Sequence, residues 1–185
     1  MVRRALVIVA FSAIGVLVTF VAAAPAGAHN WDFCGDGNLT KFYRSYTYET
    51  WPNTWNSEWQ TALGNARVEF NVSHFKYYKG SGLNWANLNS SDTSVAGQTT
   101  IRAFTCGGTN LIYDVSLYIN VPHFQASPHT IGQRQCTAIH EMGHAVGLDH
   151  NDLASIVNIP HSHRCHYWEI KTLQPHDTSD INYRY

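Results

Sequence analysis

The fifteen residues CTAIHEMGHAVGLDH, Cys136 to His150, decide how the rest of this chain is read. His140 and His144 are four residues apart, which on an α-helix sets them one turn apart on the same face. Cys136, Ile139, Gly143 and Val146 supply an inward apolar stripe, so the spacing predicts a helix here. Glu141 follows the first histidine directly and points to a neighbouring direction. From there its carboxylate can reach a water beside the imidazoles without itself being a ligand. His150 lies six residues past His144, and six steps of about 100° would swing it off that face if the helix continued. The helix must therefore stop. Gly147 stands where the turn is needed, because glycine accepts left-handed backbone angles at a helix C-terminus. The turn is expected to deliver His150 as a third ligand. Asp149, one residue off the pattern, is expected to orient a neighbour instead.

HExxH on a helix is the pattern expected for zinc with a glutamate general base. Three neutral imidazoles with a fourth position open to water suit one catalytic Zn2+ rather than a closed structural site. The donor set does not suit calcium or magnesium. Oxygen side chains between Ser81 and Thr100 could hold calcium, but no calcium motif supports that, and the stretch reads as a solvated loop.

At the N-terminus, Arg3 and Arg4 precede the apolar run Ala5 to Ala24, and Ala26, Gly27 and Ala28 form a small-residue site. This reads as a secretory signal peptide over residues 1–28, cleaved after Ala28; an uncleaved anchor is the other reading. Residues 29–185 then form one domain of ordinary size. Without Arg3 and Arg4 that domain carries ten basic and thirteen acidic residues, a net of −3. So mild a charge points to neither nucleic acid nor a membrane surface. Cys34, Cys106, Cys136 and Cys165 are an even set in an exported chain, so two disulfides are expected, with the three possible pairings open.

Between these ends, TKFYRSYTYET (Thr40 to Thr50) alternates and reads as a strand ended by Pro52. Trp55, Trp59, Ala62, Leu63 and Ala66 make a helical stripe, with Asn53 or Thr54 as its cap and the tryptophans as core anchors. NVSHFKYYKG, TTIRAFTC and LIYDVSLYINV read as further strands, the last alternating around Val115, Leu117 and Ile119.

HEMGHAVGLDH resembles the zinc-binding consensus of the metzincin peptidases, the matrixin branch in particular. SIVNIP (Ser155 to Pro160) resembles that branch's Met-turn, and QPHDTSDINYRY its closing helical segment. The resemblance implies an α+β, metzincin-like fold: a mixed twisted β-sheet, an N-terminal helix, an active-site helix carrying HExxH, and a C-terminal helix. It implies a secreted, extracellular zinc metalloendopeptidase, monomeric, in which His140, His144 and His150 hold the metal and Glu141 is the catalytic base. The substrate would be a protein or peptide in extended conformation on an edge strand near LIYDVSLYINV. No nucleic acid is expected, nor a membrane once the signal is removed. Val157 stands where the family has its methionine and is expected to pack beneath the metal as a hydrophobic floor. The loop from Ile159 to Leu173 would wall the pocket, its His161, His163 and His166 reading as surface residues. The alternative is a secreted, non-catalytic, zinc-stabilised binding protein of the same fold, toward which Val157 leans.

Overall fold

The computed structural model describes residues 34–35, 40–52, 55–80, 82–150, 155–157, 165 and 170–185. The signal segment 1–28, the cap candidates Asn53 and Thr54, and His161, His163 and His166 lie outside the described residues.

Among the described residues six strands form one sheet: β1 (Thr40–Phe42), β2 (Tyr46–Thr50), β3 (Lys76–Lys79), β4 (Leu83–Leu88), β5 (Gly97–Thr105) and β6 (Asn110–Asn120). Its order is β1-β6-β4-β2-β3, all parallel, and β5 pairs with β6 antiparallel. The α-helices among the described residues are α1 (Ser57–Glu69), α2 (Val121–Ala126), α3 (Ile131–Ala145) and α4 (Pro175–Arg184). Alternation shows which face of the sheet they cover. In β2, Thr47 and Glu49 are buried while Tyr46 and Tyr48 are exposed. The tyrosines lie on the open face, and the core fills the space between the other face and the helices.

Several expectations are corrected by the pairing. The run Thr40 to Thr50 is two strands: its first part pairs with β6 and its second with β4, so it steps outward at Tyr43–Ser45 to admit β4. LNWANL, read as loop, is β4; Leu83 and Trp85 point inward although Asn and Ser surround them. The cap of α1 is Asn56, whose Oδ1 accepts the backbone N–H of Trp59 at 3.0 Å. Trp55 precedes the helix but is still a core anchor, its ring centroid 5.7 Å from that of Trp59.

LIYDVSLYINV is not an edge. It is β6, bonded to β5 along one side and to β1 and β4 along the other. The exposed margin next to it is β5. A register shift between Ile101 and Phe104 explains β6's inward pattern, which changes phase from Ile112 to Val115, Leu117 and Ile119. The metzincin-like architecture is therefore withdrawn as the description of the fold. It rested on HEMGHAVGLDH, SIVNIP and QPHDTSDINYRY, all in the last third of the chain, and those residues do not determine how distant strands pair. The fold is α+β, a six-stranded mixed sheet with α1 and α3 packed on one face.

Two disulfides, Cys34–Cys106 and Cys136–Cys165, close loops with sequence separations of 72 and 29. No helix among the described residues is long and apolar enough to cross a membrane.

Candidate metal centre

Helix α3 opens with a capping box. Thr130 Oγ1 accepts from Gln133 N, and the Gln133 side chain accepts from Thr130 N. It closes at Val146 in a Schellman turn: Gly147 N donates to His144 O at 2.9 Å and Leu148 N to Gly143 O at 3.0 Å. Gly147 has φ +95°, and a Cβ there would collide with the carbonyl oxygen of Thr40 on β1. The position thus demands glycine for its backbone angle and for the close approach of a strand. A buried tyrosine, Tyr77, and a half-buried one, Tyr185, brace this end of the helix. Tyr77 Oη donates to Met142 O at 2.8 Å, and Tyr185 Oη to Val146 O at 3.2 Å.

The turn brings the three imidazoles together. His144 Nε2 lies 3.0 Å from both His140 Nε2 and His150 Nε2, and the remaining pair is 3.3 Å apart. His140 and His144 are buried and His150 is exposed, so the cluster opens to solvent on the His150 side. Asp149 is outside this group; its Oδ1 accepts the His150 backbone N–H at 2.7 Å. The ring orientations have a local cause. His140 Nδ1 is 2.7 Å from Ile156 O, and His144 Nδ1 is 2.8 Å from Leu148 O. A carbonyl only accepts, so both Nδ1 atoms carry a proton, and in the neutral rings both Nε2 atoms present lone pairs. Among three close nitrogen pairs at most one proton remains, on His150, so hydrogen bonding within the trio does not account for the convergence. A cation does. Zinc held tetrahedrally at about 2.0–2.1 Å sets its nitrogen ligands roughly 3.3 Å apart, close to the spacing here. The residues present fit the ion.

Glu141 is buried beside the trio. Its Oε1 lies 4.0 Å from His140 Nε2. Its Oε2 is 2.7 Å from the hydroxyl of Thr99 on β5, which also lies 2.9 Å from Glu141 O. Gly97, two residues earlier on β5, faces the same carboxylate; a Cβ there would sit 2.8 Å from Oε1. Neither residue carries a local signal in the sequence.

Beneath His140, the turn 155–157 is held by α4. Asp177 Oδ1 accepts from Ser155 Oγ at 2.6 Å, and Oδ2 accepts from Ile156 N at 3.2 Å and Gln174 N at 2.9 Å. Burial, the largest influence, pushes the Asp177 carboxyl above its ordinary pKa against these donors. Val157 is buried, with its Cγ1 against Gly143 of α3. Cys136, one turn before His140, ties the helix to Cys165.

A cavity of about 360 Å³ lies elsewhere, lined by Trp55, Trp59, Asn87, Phe124 and Arg134 among others. None of the three histidines borders it, so its volume says nothing about the metal centre.

No protein-family model and no curated protein matches the chain. Solved structures do match in fold. One is a chain from the GM1-bound form of the ECX AB5 holotoxin: TM-score 0.56, 15% identity, covering 80% of this chain and 84% of that one. These findings overturn the metzincin, matrixin-like family assignment. The fold is shared with a holotoxin chain, and no family is shown. The physical reason is the reach of the motif. Eleven residues dictate a helix, a turn and a trio of donors, and impose little on the other strands and helices.

Proposed function

We propose that this chain is a secreted zinc-dependent metalloendopeptidase that hydrolyses peptide bonds in proteins. The observation that carries the proposal is the meeting of three imidazole nitrogens within 3.3 Å, with a buried carboxylate oxygen 4.0 Å from one of them. His140, His144 and His150 would hold one Zn2+. When bound, zinc polarises a substrate carbonyl and lowers the pKa of water toward about 7.

The remaining work belongs to the chain. Glu141 Oε1 takes a proton from the attacking water, whose oxygen bonds to the peptide carbonyl carbon. The carbon–nitrogen bond then breaks as the Glu141 carboxylic acid returns that proton to the leaving nitrogen. The substrate is an extended peptide that adds as a strand to β5, the exposed margin whose inward side chains border Glu141. Export is consistent with two disulfides, which form in oxidising compartments.

The test is metal analysis together with casein and peptide-library digestion, with and without chelator, beside Glu141→Gln. One bound zinc, chelator-sensitive cleavage, and a loss of at least about a thousandfold in Glu141→Gln with zinc retained are expected. A protein that holds zinc yet cleaves no peptide in the library would instead be the non-catalytic binding protein.

A further inference from the structure

The Glu141 carboxylate does not stand alone in its pocket. Its two oxygens have different neighbours, and both neighbourhoods come partly from β5, 42 residues away from it in sequence. Oε2 is 2.7 Å from Thr99 Oγ1. Oε1 faces the imidazoles, in the space that Gly97 leaves by lacking a side chain. Gly97 and Thr99 are alternate residues on one strand, so both look inward at α3 while Gln98 between them looks out. A hydroxyl has one proton to give. Glu141 O at 2.9 Å competes for it, but the carboxylate oxygen is closer at 2.7 Å.

We infer that Thr99 is a positioning residue, which tethers Glu141 through Oε2 so that Oε1 is presented to the attacking water, with Gly97 keeping that side clear. A glutamate has three side-chain torsions, and a general base works only within hydrogen-bond reach of the proton it takes. Without the tether, the carboxylate samples rotamers in which Oε1 is out of reach. Such a loss acts on the chemical step rather than on substrate capture. Gly97→Ala would act on the same carboxylate by a different route, pushing Oε1 aside.

This inference rests on the peptidase reading, so its test needs a readout that does not depend on turnover. The full chain is compared with Thr99→Val, which keeps the shape and removes the hydroxyl, and with Thr99→Ser, which keeps the hydroxyl. In the metal-free proteins, the Glu141 carboxylate stretch is identified by infrared difference against Glu141→Gln. That band should shift in Thr99→Val and stay near wild type in Thr99→Ser. In the zinc-loaded proteins, kcat should fall about tenfold to a hundredfold in Thr99→Val with KM nearly unchanged, and should return to within a few-fold in Thr99→Ser. Zinc content and melting temperature monitor folding. An unshifted band, a wild-type kcat in Thr99→Val, or equal damage in both variants overturns the inference. A shifted band in a protein that never turns over any peptide leaves the tether standing and removes the peptidase reading.

Discussion

Gly147 shows how one residue can decide a site. Its φ of +95° ends α3 and starts the reversal that carries His150 back to His140 and His144. An alanine there would adopt a left-handed angle, at about 1–2 kcal/mol, and would press its Cβ into the Thr40 carbonyl. Relief requires β1 or the turn to move, and β1 is itself paired with β6. Gly147→Ala should therefore lose about 2–4 kcal/mol in denaturant unfolding and bind zinc more weakly by calorimetry. Gly147→Asn should do better on the backbone angle, since asparagine tolerates it, but no better on the collision. Equal stability of the wild type and Gly147→Ala would show that the reversal does not depend on this position.

Among the elements, α4 and the turn 155–157 matter more than their distance from His150 suggests. Asp177 orders Ser155 and Ile156, and the Ile156 carbonyl in turn takes the Nδ1 proton of His140. The chain of bonds therefore runs from a carboxylate on the last helix to the orientation of the His140 ring. Asp177→Ala should leave two backbone N–H groups and a buried hydroxyl short of an acceptor. A loss of about 2–4 kcal/mol is expected in thermal or denaturant unfolding, with zinc affinity down about 10–100-fold in competition with a chelator. If stability falls and affinity does not, the turn holds its place without Asp177.

The same elements mark what the sequence revealed and what it hid. Helix α3 and the inward run Val115, Leu117 and Ile119 of β6 were legible because each follows a local period, and Gly147 because His150 falls off the helical period unless the chain turns. Strand β4 was hidden because Leu83 and Trp85 alternate among asparagines that carry loop chemistry. The two-part course of β1 and β2 depends on β4 entering between β2 and β6, which no window around Thr40 to Thr50 contains. Of the site, the three histidines and Glu141 could be read from spacing. Thr99, Gly97 and Asp177 could not, because each reaches it from another part of the chain across a contact that only the folded sheet and helices create.

At the scale of the whole molecule, stability carries a pH signature from a residue far from the metal centre. Glu49 on β2 is fully buried between the sheet and α1. Its Oε2 accepts from Trp85 Nε1 of β4 at 3.0 Å, and its Oε1 lies 3.7 Å from Arg67 Nη1 of α1, too far for a hydrogen bond. Burial outweighs both favourable neighbours and raises the carboxyl from 4.5 to about 7. The folded protein thus holds this proton more tightly than the unfolded chain does. The site's contribution is greatest below about pH 4.5, declines as pH rises toward 7, and is flat and least favourable above that. The full swing is of order 3 kcal/mol. Glu49→Gln keeps the shape and the acceptor for Trp85 while removing the ionisation. Its unfolding free energy should gain on the wild type between pH 5 and pH 8 by an amount of that order, the difference between the two proteins cancelling every other titrating group. Parallel profiles for the two proteins would mean that Arg67 closes on Glu49 and keeps it ionised in the fold. The sheet and α1 would then be joined by a buried ion pair instead of a protonated acid.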